Sequence, residues 1–190
     1  PSYVEASFAT VDRLTQQFLG VEETEGPRGK LEPSGRKRRR PQGDGGLEKA
    51  PVDGKAQALQ AIQQGAGGQL PVYYPTVRLK GSLFAGPPRY YKVHALDGKW
   101  HKSYRMVVRR GQVGEYYGIQ GTTWREPPIL ESPSEDRTIG KRRFELHYDG
   151  DRLRIVAWRT RKAVYWVSNT LLQSLTERQM IAIARSTRLP

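Results

Sequence analysis

Residues 154–186 read RIVAWRTRKAVYWVSNTLLQSLTERQMIAIARS. Two runs rich in Val, Ile, Trp and Tyr, Asp151–Arg159 and Ala163–Ser168, flank a tight polar connection and predict paired strands. Thr176-Glu177-Arg178-Gln179 then has the spacing of a capping box. The Thr176 hydroxyl accepts from the amide of Gln179, and the Gln179 side chain accepts from the amide of Thr176. Met180, Ile181, Ile183 and Ala184 fall on one face of the helix that follows. So short a helix is marginal alone in water, so its apolar face must pack on the sheet.

Working outward, Asp149-Gly150 predicts a hairpin joining Arg142–Tyr148 to Asp151–Arg159. That register sets Leu146 opposite Leu153 and Phe144 opposite Ile155 on an apolar face. It also sets Glu145 opposite Arg154 and His147 opposite Arg152. A second hairpin is expected at Asp97-Gly98, between Tyr90–Leu96 and Trp100–Arg109. A two-residue loop there puts Ala95 opposite Trp100, His94 opposite His101, and Tyr91 opposite Tyr104. Val72–Leu79 and Val113–Thr123 read as further strands, the latter before a Pro-rich loop at Pro127–Pro133. Asp53–Gln64 reads as a short helix with Asp53 as cap and Gly65 as stop. The fold class is therefore α+β: a twisted, mainly antiparallel β-sheet with a C-terminal helix packed on one face.

This domain is expected over residues 55–190. Residues 20–54 read as a disordered linker, because no aromatic residue stands between Phe18 and Tyr73 and Gly, Pro and acids are frequent. The linker holds the basic cluster Arg36, Lys37, Arg38, Arg39 and Arg40, either a polyanion-binding run or a solvated tether. Ser2–Leu19 suggests a short strand and a helix, capped by Ser7 or Thr10, with Val11, Leu14 and Phe18 on one face. It is too little to fold alone and is expected to end an upstream domain.

The chain has 190 residues, no Cys and a net charge of +13. No disulfide, zinc ribbon or thiol nucleophile is possible. Residues 57–190 carry 22 Lys and Arg against 10 Asp and Glu, so the basic excess belongs to the folded part. Such an excess favours polyanions: nucleic acid, anionic lipid or phosphate-bearing polymer.

No catalytic set emerges. G-x-S-x-G, H-E-x-x-H and P-loop motifs are absent, and Gly65-Ala66-Gly67-Gly68 lacks the Lys-Ser/Thr that would hold phosphate and Mg²⁺. His94 and His101 lack a third ligand, Asp149-Gly150-Asp151 is read as a turn rather than a calcium loop, and Glu135 and Asp136 as loop charges. No metal or cofactor is expected in this chain. The remaining signal is aromatic and basic interleaving: Trp124 and Arg125 after one strand, and Trp158, Arg159, Arg161, Lys162, Trp166 and Asn169 around the tight connection. Aromatic faces stack on sugars or bases and Arg forks onto phosphates. The competing reading makes Trp158 and Trp166 sheet core.

The runs LPVYYPTVRL (70–79), YRMVV (104–108), GEYYGIQGTTWREPPIL (114–130), VAWRTRKAVYWVSNTL (156–171) and LTERQMIAIARS (175–186) resemble the C-terminal extension of actinobacterial LytR–CpsA–Psr (LCP) proteins. Ser2–Leu19 looks like the tail of the LCP domain itself. The resemblance implies a membrane-anchored, extracytoplasmic parent that moves glycopolymers from a polyprenyl-phosphate carrier to peptidoglycan, with Mg²⁺ serving that chemistry. Its catalytic Arg and Asp residues have no counterpart here, so the chain is expected to be non-catalytic. The expected partner is anionic wall glycopolymer, peptidoglycan, a membrane surface or another protein. A nucleic-acid-binding module and a purely structural domain are the alternatives, although no helix-turn-helix or RNP-type motif is visible.

Overall fold

The structure, a computed structural model, describes residues 46–95, 98–111 and 115–190. The expected strand and helix at Ser2–Leu19, most of the linker, and Arg36, Lys37, Arg38, Arg39 and Arg40 lie outside the described residues. In chain order the elements are β1 (Leu47–Lys49), α1 (Pro51–Gln63), β2 (Val77–Leu79), β3 (Leu83–Phe84), β4 (Arg89–His94), β5 (Trp100–Arg109) and β6 (Tyr116–Thr122). A 3₁₀ turn at Pro128–Leu130 follows, then β7 (Glu135–Ile139), β8 (Arg142–Asp149), β9 (Arg152–Arg159), β10 (Val164–Ser168) and α2 (Glu177–Ser186).

The main sheet is antiparallel throughout, in the order β3-β5-β6-β10-β9-β8-β7, with β4 sharing the β3 edge of β5. It consists of two meanders, β4-β5-β6 and β7-β8-β9-β10, joined where β6 pairs with β10. The α+β expectation holds, and α2 lies against β9, β10 and β2. Its cap is the one read from the sequence: the Gln179 amide donates to Thr176 Oγ1 (3.3 Å) and the Thr176 amide donates to Gln179 Oε1 (2.8 Å).

Both faces of the sheet centre are covered, which explains the unbroken apolar run of β10. Tyr104, Met106, Val108, Tyr117, Ile119, Phe144, Leu146, Leu153, Val156, Trp158, Tyr165 and Val167 form the inner core with Ala58 and Ala61 of α1 and Met180, Ile183 and Ala184 of α2. On the outer face Leu130, from the crossover between β6 and β7, packs with Ile155, Ala157, Val164 and Trp166.

The ordered fold begins earlier than residue 55. Leu47–Lys49, assigned to the linker from composition, pairs with Val77–Leu79. Arg78 ties this corner together by bridging Glu48 (2.9 Å) and Asp53 (2.7 Å). The helix starts at Pro51, so Asp53 sits in its first turn and pairs with Arg78 instead of capping. Of the expected strand Val72–Leu79, only Val77–Leu79 enters a ladder of strands. Tyr74 makes an isolated bridge with Arg188, and phenols rising from the sheet satisfy other backbone groups of this segment. Tyr104 Oη donates to Tyr73 O (2.9 Å), and Tyr165 Oη donates to Pro71 O (2.9 Å). Burial raises both phenol pKa values, so both stay protonated donors.

Both hairpin registers differ from the expectation. Ala95 donates to Lys99 O (2.9 Å), leaving three residues between the closing pair, and Gly98 at φ +76 takes the left-handed position such a loop requires. His94 therefore faces Trp100, Val93 faces His101, and Tyr90 faces Tyr104. The one-residue slip carries Tyr90, not Tyr91, to the core side. In the other hairpin Asp149 faces Arg152 and Leu146 faces Val156. Between them Tyr148 pairs with Leu153 and His147 with Ile155, so Arg154 is the extra residue of a bulge. That bulge puts Leu153 and Ile155 on opposite faces. It also leaves Glu145 to pair with Arg159 (2.6 Å) rather than Arg154.

Candidate functional site

The structure divides the expected contact residues. Trp158 is 1% exposed and belongs to the core. It stacks on Tyr165 (5.5 Å between centroids, 19° between planes) and meets Phe144 and Tyr73 edge-on. Arg142 covers it at 5.2 Å while donating to Ala184 O (3.0 Å) and Thr187 Oγ1 (2.8 Å), so this guanidinium closes the C-terminus of α2. Trp166 is 6% exposed under Leu130. Asn169 donates to Leu153 O (2.8 Å) and Leu175 O (3.0 Å) and accepts from the amides of Thr170 (2.8 Å) and Leu175 (3.1 Å). Its amide is fully used in shaping the loop before α2. Trp158, Trp166 and Asn169 are therefore scaffold, which corrects their reading as ligand contacts.

The other five gather at one end of the sheet, where β6 exits beside the β9–β10 turn. Half-buried Trp124 stacks on His101 (5.5 Å, 13°). Arg159 is held by both oxygens of Glu145 and donates to the carbonyl of Arg125, whose own guanidinium donates to Arg161 O (2.7 Å). Arg125 and Arg159 thus clamp two loops together. Arg161 and Lys162 are exposed. Lys162 Nζ reaches Gly68 O (3.4 Å) at the rim of a cavity of about 320 Å³ lined by Gly68, Gln69, Thr123 and Lys162.

Charge is distributed unevenly over the sheet. Arg78 holds Glu48 and Asp53, Arg137 holds Glu135 and Glu177, Arg143 holds Asp136, and Arg159 holds Glu145, all within 3 Å. Glu135 and Asp136 are thus paired strand residues of β7, not loop charges. Arg89, Lys92, Lys102, Arg105 and Arg109 of β4 and β5 enter none of these pairs. Residues 89–110 contain seven Lys and Arg against one acid, Asp97.

Arg105 and Gln120, in the middle of the β4–β5–β6 meander, are not among the residues singled out from the sequence. Arg89 lies opposite Arg105, Arg105 opposite Gln120, and Gln120 opposite Trp166, one lateral row on the outer face. Arg105 is half-buried, its Nε has no acceptor, and burial lowers its pKa. The period-two alternation of Tyr104, Met106 and Val108 was the available signal, since it sends Arg105 to the opposite face.

No family model matches this chain, nor does any curated protein or solved structure.

Among the described residues no three His, Asp or Glu side chains gather to hold a metal ion, and no helix is long and apolar enough to cross a membrane. His94 packs on Trp100 (4.8 Å between rings). His147 is buried in the outer face beside Glu145 and Arg159, and desolvation lowers its pKa.

Proposed function

We propose that this domain is a non-catalytic accessory module of an extracytoplasmic, LCP-type cell-envelope transferase, and that it binds anionic wall glycopolymer. The observation that carries the reading is the unbalanced charge of β4 and β5. Among the described residues, five cations of a well-packed antiparallel pair have no carboxylate partner, while Glu48, Asp53, Glu135, Asp136, Glu145 and Glu177 are held by arginines. Arg89, Arg105 and Arg109 stand on the outer face and Lys92 and Lys102 on the other, and such an excess attracts polyanions over a distance of about a Debye length. The exposed Arg161 and Lys162 extend it around one end of the sheet. The sequence resemblance supplies the envelope setting and the transferase parent, whose Mg²⁺-assisted chemistry would reside upstream.

The test is co-sedimentation of the 190-residue chain with isolated cell walls, before and after chemical removal of the anionic polymer. Retention that disappears with the polymer and weakens as salt rises supports the proposal. Equal retention on stripped peptidoglycan, or tighter salt-matched binding to duplex DNA, would defeat it.

A further inference from the structure

On the outer face β5, β6 and β10 lie side by side, and their register sets Gly118 between Val107 and Ser168, one step from the Arg105–Gln120 pair. Gly118 is buried and does not have positive φ, so glycine serves here to let neighbouring side chains approach the backbone closely rather than to free the backbone. A methyl group added there would lie 2.9 Å from Ser168 Oγ, 3.3 Å from Gln120 Nε2 and 3.6 Å from Arg105 Nε. A hydroxyl, a carboxamide and a guanidinium therefore converge over one point.

The charge at this point is uncompensated. Arg105 is half-buried, and its Nε–H is sealed from water without an acceptor. Trp166, beside Gln120 in the same row, likewise leaves Nε1–H without an acceptor. Among the described residues Arg105 has no carboxylate partner, and the Tyr91 phenol and a second cation, Arg89, bear on its charge. A partly desolvated cation without a counter-charge costs stability. In the other half of the sheet Arg137, Arg143 and Arg159 hold carboxylates, and Arg105 holds none among the described residues.

We propose that Arg105 and Arg89, with Gln120 and Ser168, bind a single phosphate-type oxyanion beside Gly118. A guanidinium fork matches two oxygens of a phosphate group, and the amide and hydroxyl supply further donors. The ligand brings the missing counter-charge. This deepens the reading above, on which it rests, by naming where a polymer phosphate would seat.

The experiment uses the whole chain with inorganic phosphate as probe, followed by calorimetry and thermal unfolding against chloride at equal ionic strength. Saturable binding is expected, weakened at least tenfold by Arg105→Gln and by Gly118→Ala. The second variant keeps both arginines but its methyl group displaces Ser168, Gln120 and Arg105 from their convergence, and far-UV circular dichroism checks its fold. In phosphate-free buffer Arg105→Gln should melt at or above the wild-type temperature, because it removes an unpaired charge. Equal phosphate binding by Arg105→Gln, or no difference between phosphate and chloride, would overturn the site.

The same variants are then titrated with a glycerol-phosphate polymer and with phosphatidylglycerol vesicles. A tenfold loss in either arm supports the site and identifies its source as wall or lipid phosphate; wild-type binding that is undiminished in the variants in both arms overturns it. Wild-type binding to wall polymer that ignores Arg105 would end this proposal and leave the accessory-module reading intact. Phosphate binding at Arg105 by a chain indifferent to wall polymer would do the reverse.

Discussion

The two halves of the sheet carry similar numbers of cations and treat them in opposite ways. Residues 135–159, which hold β7, β8 and β9, have seven Lys and Arg and five acids. There Arg137, Arg143 and Arg159 each grip a carboxylate. Residues 89–110, which hold β4 and β5, also have seven Lys and Arg, with one acid. The first half uses charge to fasten its strands and α2 to one another. The second leaves Arg89, Lys92, Lys102, Arg105 and Arg109 without a carboxylate partner among the described residues. Cations close to each other without counter-ions repel, which weakens a fold unless something else compensates. The aromatic core beneath does so: Trp158 stacks on Tyr165, and Tyr165 touches Tyr104, linking β9 through β10 to β5.

The largest effect should come from cutting that link. Trp158→Ala is expected to cost about 3–5 kcal/mol, the range for emptying a large buried aromatic site. Because the stack spans both halves, urea unfolding followed by circular dichroism should remain a single transition shifted to lower denaturant. Two separate transitions would show that the halves fold independently.

Removing a clamp from the matched half comes next. Arg137 bridges Glu135 (2.8 Å) and Glu177 (2.6 Å), and Glu177 also accepts from Tyr148 Oη (3.0 Å). The groups are partly exposed, so Arg137→Ala should cost about 1 kcal/mol or less, and the cost should shrink in high salt. A loss independent of salt would mean that Arg137 contributes by packing.

The matched half should also carry the pH sensitivity. Burial holds the His147 pKa below its ordinary value, so the folded state favours the neutral ring. The associated stability is complete above the unfolded value of about 6.5 and declines as pH falls below it. Glu48, Asp136 and Glu177 have pKa values lowered by their arginine partners, so their contribution is lost only at more acidic pH. His147→Gln should remove the decline that begins below about pH 6.5 while preserving the lower step. Persistence of the upper step in that variant would assign it elsewhere.

The smallest stability effect belongs to the unmatched half. Arg89→Gln with Lys102→Gln should change stability by no more than about 0.5 kcal/mol, or raise it slightly. The same pair should flatten the salt dependence of wall-polymer binding. A large destabilisation would contradict the view that these cations do no structural work.

Legibility followed the range of the interactions. Thr176 and Gln179 were readable because a capping box is closed within four residues. Phe144, Leu146, Met180 and Ile183 were readable because alternation and helical periodicity are local. The registers were not. One residue more in the loop before Gly98, and one extra residue at Arg154, re-sorted which side chains share a face. Trp158, Trp166 and Asn169 looked like contacts because a sequence cannot distinguish a covered face from an open one. Arg105 was overlooked because its isolation depends on Arg89, Gln120 and Ser168 arriving from three other strands.

By itself the sequence determined the strand-rich α+β class, the capped terminal helix, the basic excess and the exclusion of cysteine chemistry. Each follows from composition or from spacing within a few residues. Tertiary structure alone decided which of the arginines are clamps and which stand unpaired. A guanidinium's role depends on the nearest carboxylate and on its access to water, and both are set by strands far apart in the chain.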